Sequence, residues 1–193
     1  MQTIQRNEIL PLGDYEAIRP HFRARIIEEK RPRRVRLGEH LAVTFENRDT
    51  VLLQIQEMLR TERITAEPAI AHEIATYNDL VPGADQISLT LWVEIADKPL
   101  RDRLLVELAG LEDTVRLEVD GKSFEVKGPR PDGFMEGRTT AVHYLKVQLS
   151  PEAAAAIKSG KATAAIVIEH AGHSLRVELD RATMAKLAED LAT

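Results

Sequence analysis

The chain's apolar periodicity predicts an α+β fold with a largely antiparallel sheet built from hairpins, and three observations carry that prediction. Ile87, Leu89, Leu91, Val93 and Ile95 alternate without a break, the period of a strand with one buried face. Asp120-Gly121 joins two further alternating runs, Val115 to Val119 and Phe124 to Val126, and Asp-Gly in that position is a strong hairpin signal. Helical periodicity falls in separate stretches that do not alternate regularly with strands, so a parallel βαβ sheet is not indicated. One domain over residues 1-193 with about five or six helices is expected, helix-rich over 1-84 with an Arg-rich hairpin, and strand-rich over 85-193.

After Asp14, a good N-cap, Tyr15, Ile18, Phe22, Ile26 and Ile27 recur at helical spacing, with Pro20 expected to divide the stretch into two helices. Arg33 to Leu37 and Leu41 to Glu46 read as hairpin arms across Gly38-Glu39. Asn47 caps the next helix, on which Val51, Leu52, Ile55, Met58 and Leu59 form one stripe. Leu53 on the polar side hints that both faces are covered. A helix from Pro68, buried through Ile70, Ile74 and Tyr77, stops at Pro82-Gly83. Leu100, Leu104, Leu105 and Leu108 mark another helix, and residues 128 to 138 read as a mobile loop. A strand through His143, Leu145 and Val147 precedes Ser150-Pro151-Glu152, which starts a short helix. Ala162 to Glu169 and Leu175 to Leu179 form a hairpin around Ala171-Gly172, and Asp180 caps a closing helix through Leu187 and Leu191.

At 193 residues a single core removes about 70% of the unfolded chain's surface from water, so no covalent staple is needed. The chain has no cysteine, which excludes disulfides, thiolate zinc sites, thiol nucleophiles and cysteine-ligated iron–sulfur clusters. Nowhere do eighteen apolar residues run together, and no basic region precedes a long apolar run at the N-terminus. No membrane span and a cytoplasmic location are therefore expected. Rossmann and P-loop nucleotide signatures are absent, as are G-x-S-x-G and H-E-x-x-H.

Charge is uneven. Residues 1 to 64 hold 12 Lys+Arg against 10 Asp+Glu, whereas the remainder is strongly acidic. Eight basic residues lie between Arg19 and Arg36, opposed in that window only by Glu28 and Glu29. Such a strip suits an acidic protein or a small anion, or is simply paired internally. Acidic overall charge and few aromatics argue against nucleic acid.

The candidate site residues fall in three groups. The densest is Phe45 to Ile64, where Asn47, Arg48, Gln54, Gln56, Glu57 and Arg60 join Arg33, Arg34 and Arg36 of the preceding hairpin as binding candidates. Guanidinium groups bind carboxylate or phosphate through paired hydrogen bonds, and Glu57 is the candidate acid–base group. Glu57–Arg60 and Gln56–Arg60 are also ordinary helix-surface pairs without any function. His72 and Glu73 form a second, metal-ligating candidate, set against a solvated helix face. His170 and His173 form the third, where two imidazoles in a tight turn would still lack a further ligand. His143 lies on the apolar side of its strand and reads as a hydrogen-bonded core residue.

RPRRVRLG, then FENRDTVLLQIQEMLRTERI, then YNDLVPG leading into an alternating strand, resembles the bacterial family known as domain of unknown function 3501, over nearly the whole chain. That resemblance brings no established activity or cofactor. It implies an accessory role beside a rubrerythrin-like peroxide-reducing protein and an iron–sulfur oxidoreductase, in oxidative-stress or electron-transfer metabolism. Three readings follow: a binding module that docks such an acidic redox partner, a small enzyme or ligand-binding protein with an Arg/Glu/Gln pocket, with or without a metal, or a structural homodimer.

Overall fold

The computed structural model describes residues 1–129 and 135–193. Part of the loop expected at 128 to 138 thus lies outside the described residues. The described residues form six helices, α1 (Leu12–Lys30), α2 (Arg48–Thr61), α3 (Glu67–Asn78), α4 (Lys98–Glu107), α5 (Pro151–Lys158) and α6 (Arg181–Ala192). They also form eight strands: β1 (Arg34–Leu37), β2 (Leu41–Glu46), β3 (Gln86–Val93), β4 (Val115–Val119), β5 (Lys122–Lys127), β6 (Val142–Gln148), β7 (Ala164–His170) and β8 (His173–Glu178).

All strand pairs are antiparallel, in the order β1-β2-β3-β6-β5-β4-β7-β8. The α+β class and the hairpins around Gly38, Gly121 and Gly172 are as the sequence predicts. Asp120 and Gly121 both have positive φ, the conformation a two-residue β4–β5 turn requires. The sheet curls into a nearly closed barrel. Its two edge strands approach at Gly38, where a Cβ would meet the His173 ring at 3.5 Å. Between the two four-strand halves, β5 and β6 share only the pairs Val126↔Val147 and Lys127↔Lys146.

Alternation fills the barrel. Val43 and Phe45 of β2, Leu89 and Leu91 of β3, Leu117 of β4 and Ile166 of β7 point inward, joined by Leu105 of α4, Ile157 of α5 and Leu187 of α6. A second core forms outside the sheet, where Val51, Ile55 and Leu59 of α2 meet Ile70, Ile74 and Tyr77 of α3 together with Ile4 and Ile9. With α1 lying on its other side, α2 is covered on both faces, as Leu53 suggested.

One helical expectation fails. α1 runs unbroken through Pro20, starting after Pro11 with Asp14 inside its first turn. Proline removes one backbone hydrogen bond and crowds the carbonyl four residues back. Tyr15 before it and Ile26 after it are both fully buried, so packing holds the two halves in line.

Candidate functional site

The crowded polar helix α2 does not present its charges to a single opening. Glu57 points at α1, where its carboxylate accepts from Tyr15 Oη at 2.6 Å and from Arg19 Nε and Nη2 at 2.7 and 2.9 Å, with Arg23 at 3.8 Å. The bidentate bond from Arg19 holds its pKa down to about 2, against the effect of burial. A carboxylate so committed is poorly suited to take a proton near neutral pH. Arg60 donates to Glu16 at 2.6 Å, and Gln56 is buried with both amide atoms on the backbone of Leu10. Gln54 lines a small separate niche on the outer face of the sheet.

The arginines of the hairpin also divide. Arg34 pairs with Glu94, and Arg36 donates to the carbonyl of Glu39 at 2.9 Å. Arg33 turns inward, with a side chain only 1% exposed. Its Nη1 and Nη2 donate to Asp190 at 2.5 and 2.9 Å, and Nε donates to Glu29 at 2.9 Å. Asn47 joins the same group, since Nδ2 donates to Glu29 at 3.2 Å while Oδ1 accepts from the backbone of Thr50 and caps α2. Lys186 reaches the other oxygen of Glu29 at 3.2 Å. Burial pushes the Asp190 carboxyl up in spite of Arg33, whereas Arg33 and Lys186 together overcome burial and hold Glu29 below its ordinary range.

This ionic group forms the floor of a cleft of about 580 Å³, a volume suited to a small ligand. Glu29, Arg33, Asn47, Arg48, Asp49 and Asp190 line it, with Glu189 at its side. Arg48 stands at its edge, donating to the carbonyl of Gln2 at 3.0 Å and pairing with Glu8. Of the nine expected binding residues, the cleft gathers Arg33, Asn47 and Arg48, and leaves Arg34, Arg36, Gln54, Gln56, Glu57 and Arg60 elsewhere.

Glu29, Glu189 and Asp190 were not singled out by sequence. One signal was available: Glu189 and Asp190 sit in the last turn of a helix, where the dipole disfavours acids, so a compensating cation was to be expected. The histidine candidates do not assemble. His72 is exposed on α3, with Glu73 half-buried beside it. His170 uses both ring nitrogens, accepting from the backbone of Gly172 and donating to the carbonyl of Ala109, each at 3.1 Å. His173 Nε2 is buried without a hydrogen-bond partner among the described residues. No group of three or more His, Asp or Glu among the described residues is placed to hold a metal ion. His143 is a core residue, contacting Thr139 Oγ1 at 2.8 Å and the carbonyl of Thr140 at 3.0 Å through Nε2. No helix of the described residues is long and apolar enough to cross a membrane.

A family model described as "Protein of unknown function (DUF3501)" matches residues 3–191. A crystal structure of a novel protein of unknown function from Burkholderia pseudomallei K96243 is similar, at 32% identity and a TM-score of 0.89, covering 98% of this chain and 100% of the other. No curated protein matches the chain.

Proposed function

The chain belongs to the DUF3501 family, and from that premise we propose that it is a non-catalytic binding protein whose recognition site is the cleft over the Arg33–Asp190 pair. One observation carries this reading: three of the expected binding residues, Arg33 from the turn before β1 and Asn47 and Arg48 from the start of α2, meet in a cleft of about 580 Å³ whose floor is an ion pair buried at evident desolvation cost. Replacing such a pair with apolar residues is often neutral or stabilising, so stability alone is a weak reason to keep it. The test is a thermal-shift panel of small carboxylates, phosphates and amines on the wild type and on Arg48→Ala. Because Arg48 is a rim residue, its loss should leave the fold intact and abolish the concentration-dependent rise in Tm that ligand binding produces. A rise of equal size in both proteins rejects the cleft.

A second reading has its own support. Arg31, Arg34 and Arg36 are exposed along the end of α1 and the sheet edge β1, near the exposed apolar side chain of Ile27. On this reading the surface docks an acidic redox partner, the rubrerythrin-like protein or the iron–sulfur oxidoreductase implied by the family resemblance. Co-purification at low salt that is lost at high salt supports it; no association at low salt counts against it.

A further inference from the structure

The outer face of the sheet carries a second polar assembly, separate from the cleft. Cross-strand register puts Thr44 of β2, Thr90 of β3 and Tyr144 of β6 in one row, and Glu46, Ser88 and Lys146 in the next. This face is buried: α2 and Leu80 close over it, leaving Glu46 6% and Ser88 0% exposed. A buried carboxylate needs donors for its lone pairs. Thr90 Oγ1 supplies one, donating to Glu46 Oε1 at 2.7 Å. The other oxygen has Lys30 Nζ at 3.7 Å, close enough for an ion pair but beyond hydrogen-bond reach. Ser88, directly across the ladder from Glu46, is buried with its hydroxyl unpartnered among the described residues. The side chains of Trp92, Tyr144 and Gln54 help to enclose a niche here with about 10 Å³ of free space, room for one water-sized group.

We propose that this niche is a binding site for the ammonium head of a primary alkylamine, and that Lys30 is its resident stand-in. The chemistry follows from what the niche lacks. Glu46 Oε2 has no hydrogen-bonded donor among the described residues, and the Ser88 hydroxyl across the ladder from Glu46 has no partner among them, which calls for a ligand with N–H groups. Its fixed charge apart from Lys30 is the single carboxylate, which calls for one positive charge. Its lining includes the aromatic side chains of Trp92 and Tyr144, which suit a compact cation nearby. An –NH3⁺ group meets all three requirements. Lys30 is the last residue of α1, and its side chain is 29% exposed. Swinging its ammonium into water breaks no hydrogen bond to Glu46, so an incoming amine takes its place by exchange, with its alkyl tail leading out where the Lys30 stem now enters.

Trp92 is the only tryptophan of the chain and lines the niche, so its emission reports occupancy directly. In Lys30→Ala, ethylammonium chloride should shift Trp92 emission along a saturable curve and raise Tm, while sodium chloride at equal ionic strength should do neither. The double variant Lys30→Ala/Glu46→Gln should lose the saturable response. In the wild type, where Lys30 competes, half-saturation should need about tenfold more ethylammonium. Nα-acetyl-lysine amide run alongside distinguishes a lysine side chain from a free amine as the source of the ammonium. A linear response, an equal response in the Glu46→Gln background, or a wild type that saturates no later than Lys30→Ala overturns the proposal. Should Lys30→Ala not fold, Lys30→Met keeps the stem and carries the same comparison.

Discussion

Arg33 sits among exposed arginines in the sequence, yet it is the one whose guanidinium is almost wholly removed from water. Its Nη1 and Nη2 donate to Asp190 and its Nε to Glu29, so cutting the side chain back strands two carboxylates rather than one contact. Arg33→Met is expected to cost about 3–5 kcal/mol in urea unfolding, and adding Asp190→Leu should return most of it. A cost below about 1 kcal/mol would mean that solvent reaches the pair. Glu57 makes the complementary prediction in pH. Its folded pKa of about 2 lies below the ordinary 4.5, so its contribution is complete above pH 4.5 and is lost as pH falls from there toward 2. The contribution is at most about 3 kcal/mol, reduced by the solvent that reaches the clamp. Glu57→Gln should be less stable near pH 7 and show a shallower acid limb than wild type; an unchanged limb would show that the clamp contributes nothing to acid stability.

At the scale of elements, α2 depends on Asn47, which caps the helix and also holds Glu29 on the cleft floor. Asn47→Ala should cost about 1–2 kcal/mol through the cap alone. Asn47→Asp keeps the cap but sets a like charge against Glu29, so a variant as stable as wild type would show that the second bond carries nothing. In α1, Pro20→Ala should stabilise by about 1 kcal/mol or more, measured by the unfolding midpoint, because it restores a donor in an exposed part of an unbroken helix. The elements were legible in sequence wherever one face was buried: the alternation of β3, the Asp-Gly turn of β4–β5 and the caps Asn47, Ser150 and Asp180 all match. The run through Pro20 was not, because tertiary packing of Tyr15 and Ile26 overrode a local breaker. The cleft was half legible. Arg33, Asn47 and Arg48 are near one another in the chain, whereas Asp190 arrives from more than 150 residues away, a pairing that no local spacing encodes. Other acids distant in sequence, Glu57 and Asp49 of α2 and Glu94 after β3, neutralise much of the rest of the arginine strip in the fold.

Over the whole molecule, the barrel has two weak joins. The β1 and β8 edges meet without a ladder at Gly38, and Arg33–Asp190 together with the bond from Thr183 Oγ1 to the carbonyl of Pro32 ties α6 across that side. The β5–β6 join is only two residue pairs long, and at its end Gly128 lies so close to β6 that a Cβ would fall 1.9 Å from the carbonyl oxygen of Tyr144. Gly128→Ala should therefore cost about 1–3 kcal/mol and speed hydrogen exchange at Val126 and Val147 before the rest of the sheet. Uniform exchange across the eight strands would show a barrel without this join as its weak point. The cleft lies at the other side, where the first and last parts of the chain meet, which places the proposed recognition site on the clasp that holds the barrel together. Amide NMR of the full chain, titrated with the same carboxylates, phosphates and amines, tests that placement most directly. Saturable shifts are expected, centred on Asn47 to Asp49 and on Glu189 and Asp190, and absent in Arg48→Ala. Saturable shifts centred on the exposed arginines of α1 and β1 instead, or none at the cleft with any ligand class, would contradict it.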